Sequence, residues 1–159
     1  MFDLLNKTYN NLQSFVPIQK YQIEHYKERY LRYIHPDFIK SVVDKNGKLI
    51  AFAITMPSFS RALKKMNGKL FPFGFLRILM AQKFNSRASL YLIGVHPDYQ
   101  NKGVTAILFN DLQTMFNRRG IKEVETNPEL IENKSIQAFW KNYKNELHKK
   151  RCTYRKDIN

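Results

Sequence analysis

Residues Leu90 to Phe109, LYLIGVHPDYQNKGVTAILF, restrict this chain more than any other stretch. Leu90 to Val95 is an unbroken apolar run, the pattern of a buried strand. His96-Pro97-Asp98 ends it, because proline has no N–H to give to a neighbouring strand. After Gln100-Asn101-Lys102-Gly103, apolar residues return at helical spacing, at Val104, Ile107, Leu108, Leu112, Met115 and Phe116. Arg118-Arg119-Gly120 then places cations at the negative end of that helix and a glycine at its C-cap. The unit is strand, basic glycine-containing turn, helix. A helix start of this kind offers an anion unpaired N–H groups and roughly half a positive charge. Gly103 lets a ligand approach the backbone, and Lys102 adds a cation. Neither G-x-x-x-x-G-K-[ST] nor G-x-G-x-x-G occurs, which sets aside two common nucleotide loops.

Around this unit the chain reads as one domain. Its 159 residues suffice for a real core, and its apolar and aromatic content argues against disorder. The lone cysteine, Cys152, rules out a disulfide framework, and the four histidines lack paired metal-ligand spacing. The longest apolar run, Leu49 to Met56, is too short to span a bilayer, and no secretory signal opens the chain. A cytoplasmic, reducing setting without a membrane partner is the expectation. The net charge of +14 predicts attraction to polyanions, or simply well-solvated basic faces.

In chain order, Phe2, Leu4, Leu5, Tyr9 and Leu12 predict a helix from the first residues to about Leu12. Ile23, Tyr26, Tyr30, Leu31 and Ile34 predict a second, ending before Pro36. Its tyrosines, with His25 and His35, suit either a cleft wall or the core edge. Ser41 to Asp44, Asn46-Gly47, then Leu49 to Thr55 is a hairpin signature. Ser58 or Ser60 is expected to cap a short helix through Ala62 to Met66. The aromatic turn Gly68 to Phe75 either floors a cleft or packs as a loop under the sheet, and leads to Leu76–Met80. Ile121 to Thr126 predicts a strand, and Glu132 to Tyr143 a helix with Ile136, Phe139, Trp140 and Tyr143 on one side. Alternating charges from Leu147 to Ile158 suit an edge strand.

The string opening at Val95 resembles motif A of the GNAT family of N-acetyltransferases. Val95, Pro97, Tyr99, Gln100 and Gly103 match that motif in order and spacing, while Thr105 stands where Gly or Ala is usual. The element order resembles the GNAT fold along nearly the whole chain. That fold is α/β, with a mixed, mostly antiparallel sheet flanked by helices. Its usual first strand is missing here, and the segment from Ser58 to Ser86 is longer than usual. Ile54 to Ser58, Gly68 to Gly74 and Glu125 to Leu130 resemble strings in the C-terminal halves of larger bacterial GNAT proteins of Bacteroides type. The chain is then a single GNAT-like acyl-CoA-binding domain over 1–159; either the fold manages without the first strand, or the chain is the C-terminal part of a longer protein. An N-terminal domain or a homodimer is left open.

The resemblance implies acetyl-CoA as co-substrate, no metal, and direct attack of an amine on the thioester. Main-chain groups of Ile93 and Val95 would hold pantetheine, with Gly94 suited to a bulge. Backbone N–H groups of Gln100, Asn101, Lys102, Gly103, Val104 and Thr105 would hold the pyrophosphate. Asn133 falls where many GNATs place an Asn near the pantetheine arm. Seven residues on, the usual acid, a tyrosine, is Trp140, so Tyr143 becomes the substitute proton donor. Glu125 and Glu129 are the candidate bases, with surface charge as the plainer reading of both. Two other classes stay open: a non-catalytic GNAT-like interaction domain, and a basic nucleic-acid-binding module. The second rests on +14 and the tail Lys149-Lys150-Arg151 with Arg155-Lys156, without a recognised binding signature.

Overall fold

A computed structural model describes residues 1–10, 15–29, 31, 34–152, 154 and 156. They fall into two compact units, Met1–Glu125 and Thr126–Asn159. In chain order the helices and strands are α1 (Phe2–Tyr9), α2 (Lys20–Arg29), β1 (Ile39–Val43), β2 (Leu49–Pro57), α3 (Ser60–Lys65), α4 (Gly74–Lys83), β3 (Arg87–Val95), α5 (Val104–Arg118), β4 (Glu123–Thr126) and α6 (Lys134–Trp140). The sheet order is β1-β2-β3-β4. β1–β2 and β2–β3 are antiparallel, and β3–α5–β4 is a strand–helix–strand crossover, so the sheet is mixed. No strand precedes β1 among the described residues.

β2 is the centre of the first unit. Ile50 to Thr55 are all buried, the continuous apolar run expected of a strand covered on both faces. Phe52 and Ile54 join Leu4 and Leu5 of α1 in one cluster. Ala51, Ala53 and Thr55 point the other way, toward the side on which α5 packs. Thr55 is the one fully buried polar residue there, and its hydroxyl donates to the Phe38 carbonyl at 3.0 Å. α5 buries Val104, Leu108, Leu112, Met115 and Phe116, five of the six positions its spacing selected; Ile107 lies at the edge of that stripe and is 60% exposed. Its far end closes as expected, with Gly120 at φ +69°. Beyond it Arg119 donates to Asp37 at 2.7 Å while its guanidinium sits 5.1 Å from the centre of the Phe38 ring.

Several boundaries depart from the sequence pattern. α1 stops at Tyr9, where two asparagines lower helix propensity; Leu12 lies outside the described residues. α2 stops at Arg29, and Tyr30 is likewise outside. Leu31 and Ile34 pack against the α1 cluster from beyond the end of α2, so their apolar character marks the core rather than a face of that helix. α3 begins at Ser60 with Phe59 at its N-cap and no side-chain cap; Ser58 Oγ donates to Ser60 Oγ instead. The aromatic turn is not packed under the sheet, because Phe71 and Phe73 are 83% and 70% exposed.

In the second unit α6 ends at Trp140, and Tyr143 follows in a turn whose N–H donates to the Trp140 carbonyl at 2.9 Å. The described residues of the Leu147–Ile158 tail form no strand; Leu147 and Tyr154 are largely exposed, and Ile158 lies outside.

Candidate functional site

The β3–α5 junction is built by the backbone. The His96 N–H donates to the Ile50 carbonyl at 2.8 Å, and Phe52 pairs with Gly94 two residues away. In an antiparallel ladder, bonded pairs alternate, so Ile93 and Val95 turn their main-chain groups away from β2. The Ile93 carbonyl accepts from the Tyr9 hydroxyl at 2.7 Å. Burial pushes the Tyr9 phenol above its ordinary pKa, which keeps it a protonated donor at neutral pH. The Val95 carbonyl has Gln100 Nε2 and Thr8 Oγ1 both at 3.3 Å. Thr8 has one hydroxyl proton and a shorter bond, 2.8 Å, to the Leu4 carbonyl, so Gln100 is the main donor to Val95.

The strand's irregularity is not at Gly94. Ile54 pairs with Leu92 and Thr55 with Leu90, which leaves Tyr91 as the extra residue of the bulge. Gly94 is required by packing: a Cβ there would stand 2.6 Å from Phe52 Cε1 and 3.3 Å from Thr8 Oγ1. Phe52 is 1% exposed and has nowhere to go.

Beyond Pro97–Tyr99 the chain turns through Asn101 at φ +59° and Gly103 at φ +79°. Gly103 is the N-cap of α5, and no side chain caps that helix. Its first intrahelical bond is Ile107 N–H to the Gly103 carbonyl at 3.1 Å, so earlier N–H groups remain outside the helix ladder. Val104 anchors the turn by burying its side chain, Thr105 is half-buried, and Lys102 holds its ammonium 6.0 Å from the centre of the Tyr99 ring. This turn presents uncapped N–H donors, a positive helix end and a cation. It fits a pyrophosphate.

Next to it lies an open cleft of about 530 Å³ lined by Asn6, Lys7, Asn10, Pro17, His96, Pro97 and Asp98. Asn6 shapes one wall, donating to the Ile18 carbonyl at 3.3 Å and accepting from the Ile18 N–H at 3.0 Å. His96 Nδ1 accepts from the Asp98 N–H at 3.3 Å, so a neutral ring carries its proton on Nε2.

The acid–base candidates sit elsewhere in the chain. Glu125 is half-buried in β4. In the second unit Trp140 Nε1 donates to Glu129 Oε1 at 2.8 Å, and partial burial pushes the Glu129 carboxyl above the usual carboxylate range. Tyr143 stacks edgewise on Trp140 with ring centres 6.0 Å apart, so Glu129 and Tyr143 flank one indole. Asn133 is spent on its own helix: Oδ1 accepts from the Ile136 N–H at 3.4 Å. Thr8 and Tyr9 were missed by sequence reasoning, because they meet β3 across more than eighty residues and carry no motif. His96 stood inside the motif, but only the cleft gives it a surface. Among the described residues no group of three or more His, Cys, Asp or Glu side chains could hold a metal.

The sequence pattern of the acetyltransferase (GNAT) family matches residues 2–143. The chain belongs to that family. It is 25% identical over 162 residues to the Escherichia coli (strain K12) protein YghO, covering 98% of this chain and 41% of the relative. The chain thus spans well under half of that relative's length. Among solved structures, AAC(6')-Iy in complex with the bisubstrate analogue CoA-S-monomethyl-acetylneamine superposes with a TM-score of 0.54 at 17% identity, covering 99% of this chain and 89% of that one. Ribosomal-protein-alanine N-acetyltransferase from Brucella melitensis superposes at 0.56 and 14% identity, covering 96% and 88%. These likenesses establish the GNAT fold. Among the described residues no helix is long and apolar enough to cross a membrane.

Proposed function

We propose that this chain is an acetyl-CoA-dependent N-acetyltransferase that acts as one acyl-CoA-binding domain, within a longer protein as the relative's length suggests. One observation carries the reading: the uncapped, glycine-started α5 directly follows a strand whose Ile93 and Val95 main-chain groups face away from the ladder. Backbone donors from Gln100 to Thr105 would bind the pyrophosphate, with Lys102 swinging from Tyr99 toward it. Pantetheine would run along Ile93 and Val95, beside the Tyr9 hydroxyl. The acceptor is an amine, and the cleft beside His96 is the place we assign to it. Asn133 would have to release Ile136 to reach the arm.

The thioester supplies the acetyl group. The neutral amine nitrogen forms the new N–C bond, the C–S bond breaks, and the departing sulfur takes a proton. A group must also take the proton that the amine loses. Glu129, whose raised pKa suits a base, and Glu125 are assigned to that role, and Tyr143 to the sulfur's proton. Trp140 cannot replace a phenol, since its one N–H is held by Glu129.

Calorimetric titration with acetyl-CoA, CoA and ATP tests the carrier half, and thiol release in the presence of an amine panel tests the transfer. Binding of the first two above the ATP level, with thiol release, is the expected result. Binding without thiol release for any amine supports the non-catalytic reading. No binding above ATP removes the enzyme reading for this chain.

A further inference from the structure

The segment between β2 and β3 uncovers an apolar surface at the other end of the same hairpin. β2 and β3 part at Pro57 and Ala88, seven residues and roughly 23 Å along the sheet from Val95. From there α3 and α4 form a helical pair. Gly74 is buried at the start of α4, where a Cβ would collide with the Lys69 carbonyl. The Phe75 N–H donates to the Leu70 carbonyl at 3.0 Å, and the Phe71 and Phe75 rings lie 6.4 Å apart. The aromatic loop is therefore tied to the helix it precedes.

α4 is apolar on two opposite sides. Gly74, Ile78 and Ala81 turn inward. Leu76, Leu79 and Met80 turn outward with Phe75, at 43% to 63% exposure, and Phe84 at 75% extends the patch with Phe71 and Phe73. A helix that is apolar all round normally has both sides covered. Cations surround this one: Arg61, Lys64, Lys65, Lys69, Arg77 and Lys83 fall between Ser60 and Phe84. No aspartate or glutamate occurs anywhere from Lys45 to Pro97.

We propose that the α3–α4 pair docks the protein on anionic lipid bilayers. Phe71, Phe73 and the outward face of α4 would enter the headgroup boundary, while the surrounding cations pair with lipid phosphates. Charge complementarity selects this occupant. A second copy would bring six cations against six with no carboxylate between them. Phe71 and Phe73 protrude rather than line a hollow, which suits a deformable surface more than a small ligand. Docking here leaves the opposite end of β3, with its anion-binding turn, facing away from the lipid attachment point. Such docking lies on the surface and needs no spanning helix, of which the described residues hold none. The inference stands independently of acetyl-CoA binding.

Vesicle co-sedimentation of the whole chain tests it, comparing phosphatidylglycerol–phosphatidylcholine with pure phosphatidylcholine. Binding should require the anionic lipid. Phe71→Ser with Phe73→Ser, both largely exposed, should weaken it about tenfold at unchanged charge, with the fold checked by circular dichroism. Lys64→Glu with Lys65→Glu should weaken it by about tenfold or more, and Lys149→Glu with Lys150→Glu in the tail much less. The proposal is overturned if the wild type ignores anionic vesicles. It is also overturned if the phenylalanine pair has no effect while the tail and α3 charges count equally, since +14 alone then explains the attraction. Conversion of a dimer to a monomer by the phenylalanine variant, with vesicle binding intact, would give this surface to a second copy and overturn the proposal as well.

Discussion

α5 and α6 start in opposite ways. α5 has fifteen residues, a left-handed glycine at its N-cap and no side chain closing its first turn. α6 has seven residues and closes itself with Asn133. Apart from the Lys102 ammonium, the ligand contacts expected at the start of α5 are backbone contacts, whereas Glu129, Trp140 and Tyr143 around α6 offer only side chains. A helix that leaves its first donors uncapped while burying Val104, Leu108 and Leu112 has its stability supplied by packing, so its positive end is free for an anion. The carrier half of the proposed enzyme depends on chain conformation, and the acid–base half on the identity of a few atoms.

The strongest way to break this contrast is Gly103→Glu. A Cβ at Gly103 meets nothing within 4 Å, so the fold should survive, at a cost of about 1–2 kcal/mol for the left-handed backbone. A carboxylate about 4 Å from a phosphate costs about 4 kcal/mol at an effective dielectric of 20, enough to weaken acetyl-CoA binding at least ~100-fold by calorimetry. Gly103→Asn, which accepts the same backbone conformation without the charge, should bind nearly as the wild type does. If Asn and Glu are equally damaging, conformation rather than anion binding explains the glycine.

Glu129→Gln probes the other half. Its amide oxygen can still accept from Trp140 Nε1, so acetyl-CoA binding should be unchanged while turnover falls about 100-fold. Because burial raises the Glu129 pKa, the ionised base is lost at a higher pH than for an ordinary carboxylate. The wild-type rate should climb with pH through that raised value and then level off, and the variant should lose this limb. The folded-state linkage has the opposite sign: a raised carboxyl pKa adds stability below the unfolded value and loses it as pH rises through the folded one. A pH–rate profile that is unchanged in the variant would assign the base elsewhere, with Glu125 next to be tested.

The two halves also differ in how far the sequence discloses them. The turn from Gln100 to Thr105 was legible because glycine, proline and helical periodicity are constraints on backbone, and the proposed anion site is made of backbone. The hairpin at Asn46-Gly47 and the C-cap at Gly120 were legible for the same reason, with Gly47 and Gly120 at φ +77° and +69°. Gly94 shows the limit. A glycine in a strand signals either a bulge or a close neighbour, and only the Phe52 ring across the ladder decides between them. The exposed phenylalanines of the α3–α4 segment were legible as aromatic and not as uncovered, since composition does not say which side of a loop meets the sheet. Gly94→Ala should therefore destabilise by about 1–3 kcal/mol through overpacking, lowering Tm by several degrees. A Gly94→Ala, Phe52→Leu double variant should recover part of that loss, because the two sites share one space. A merely conformational glycine would gain nothing from the second change.

Tyr9→Phe is the smallest of these effects and the most discriminating. Tyr9 donates to the Ile93 carbonyl, one of the main-chain groups assigned to pantetheine. Removing the hydroxyl should cost about 1 kcal/mol of stability, the usual net value of one hydrogen bond. If that carbonyl also serves the coenzyme, the loss of a competing donor should leave acetyl-CoA affinity unchanged or raise it a few-fold, even as Tm falls. If Tyr9 instead holds β3 in the only shape that can bind, affinity and stability should fall together. Tyr9 is a side chain bonded to the backbone half of the site, so the variant shows whether the contrast between the two halves is strict. Opposite movements of Tm and affinity would mean that the strand is already fixed by Phe52, Gly94 and the β2 ladder, with Tyr9 standing in for a ligand. Parallel movements would mean that side chains shape the carrier half too, and that α1 belongs to the site rather than to the core alone.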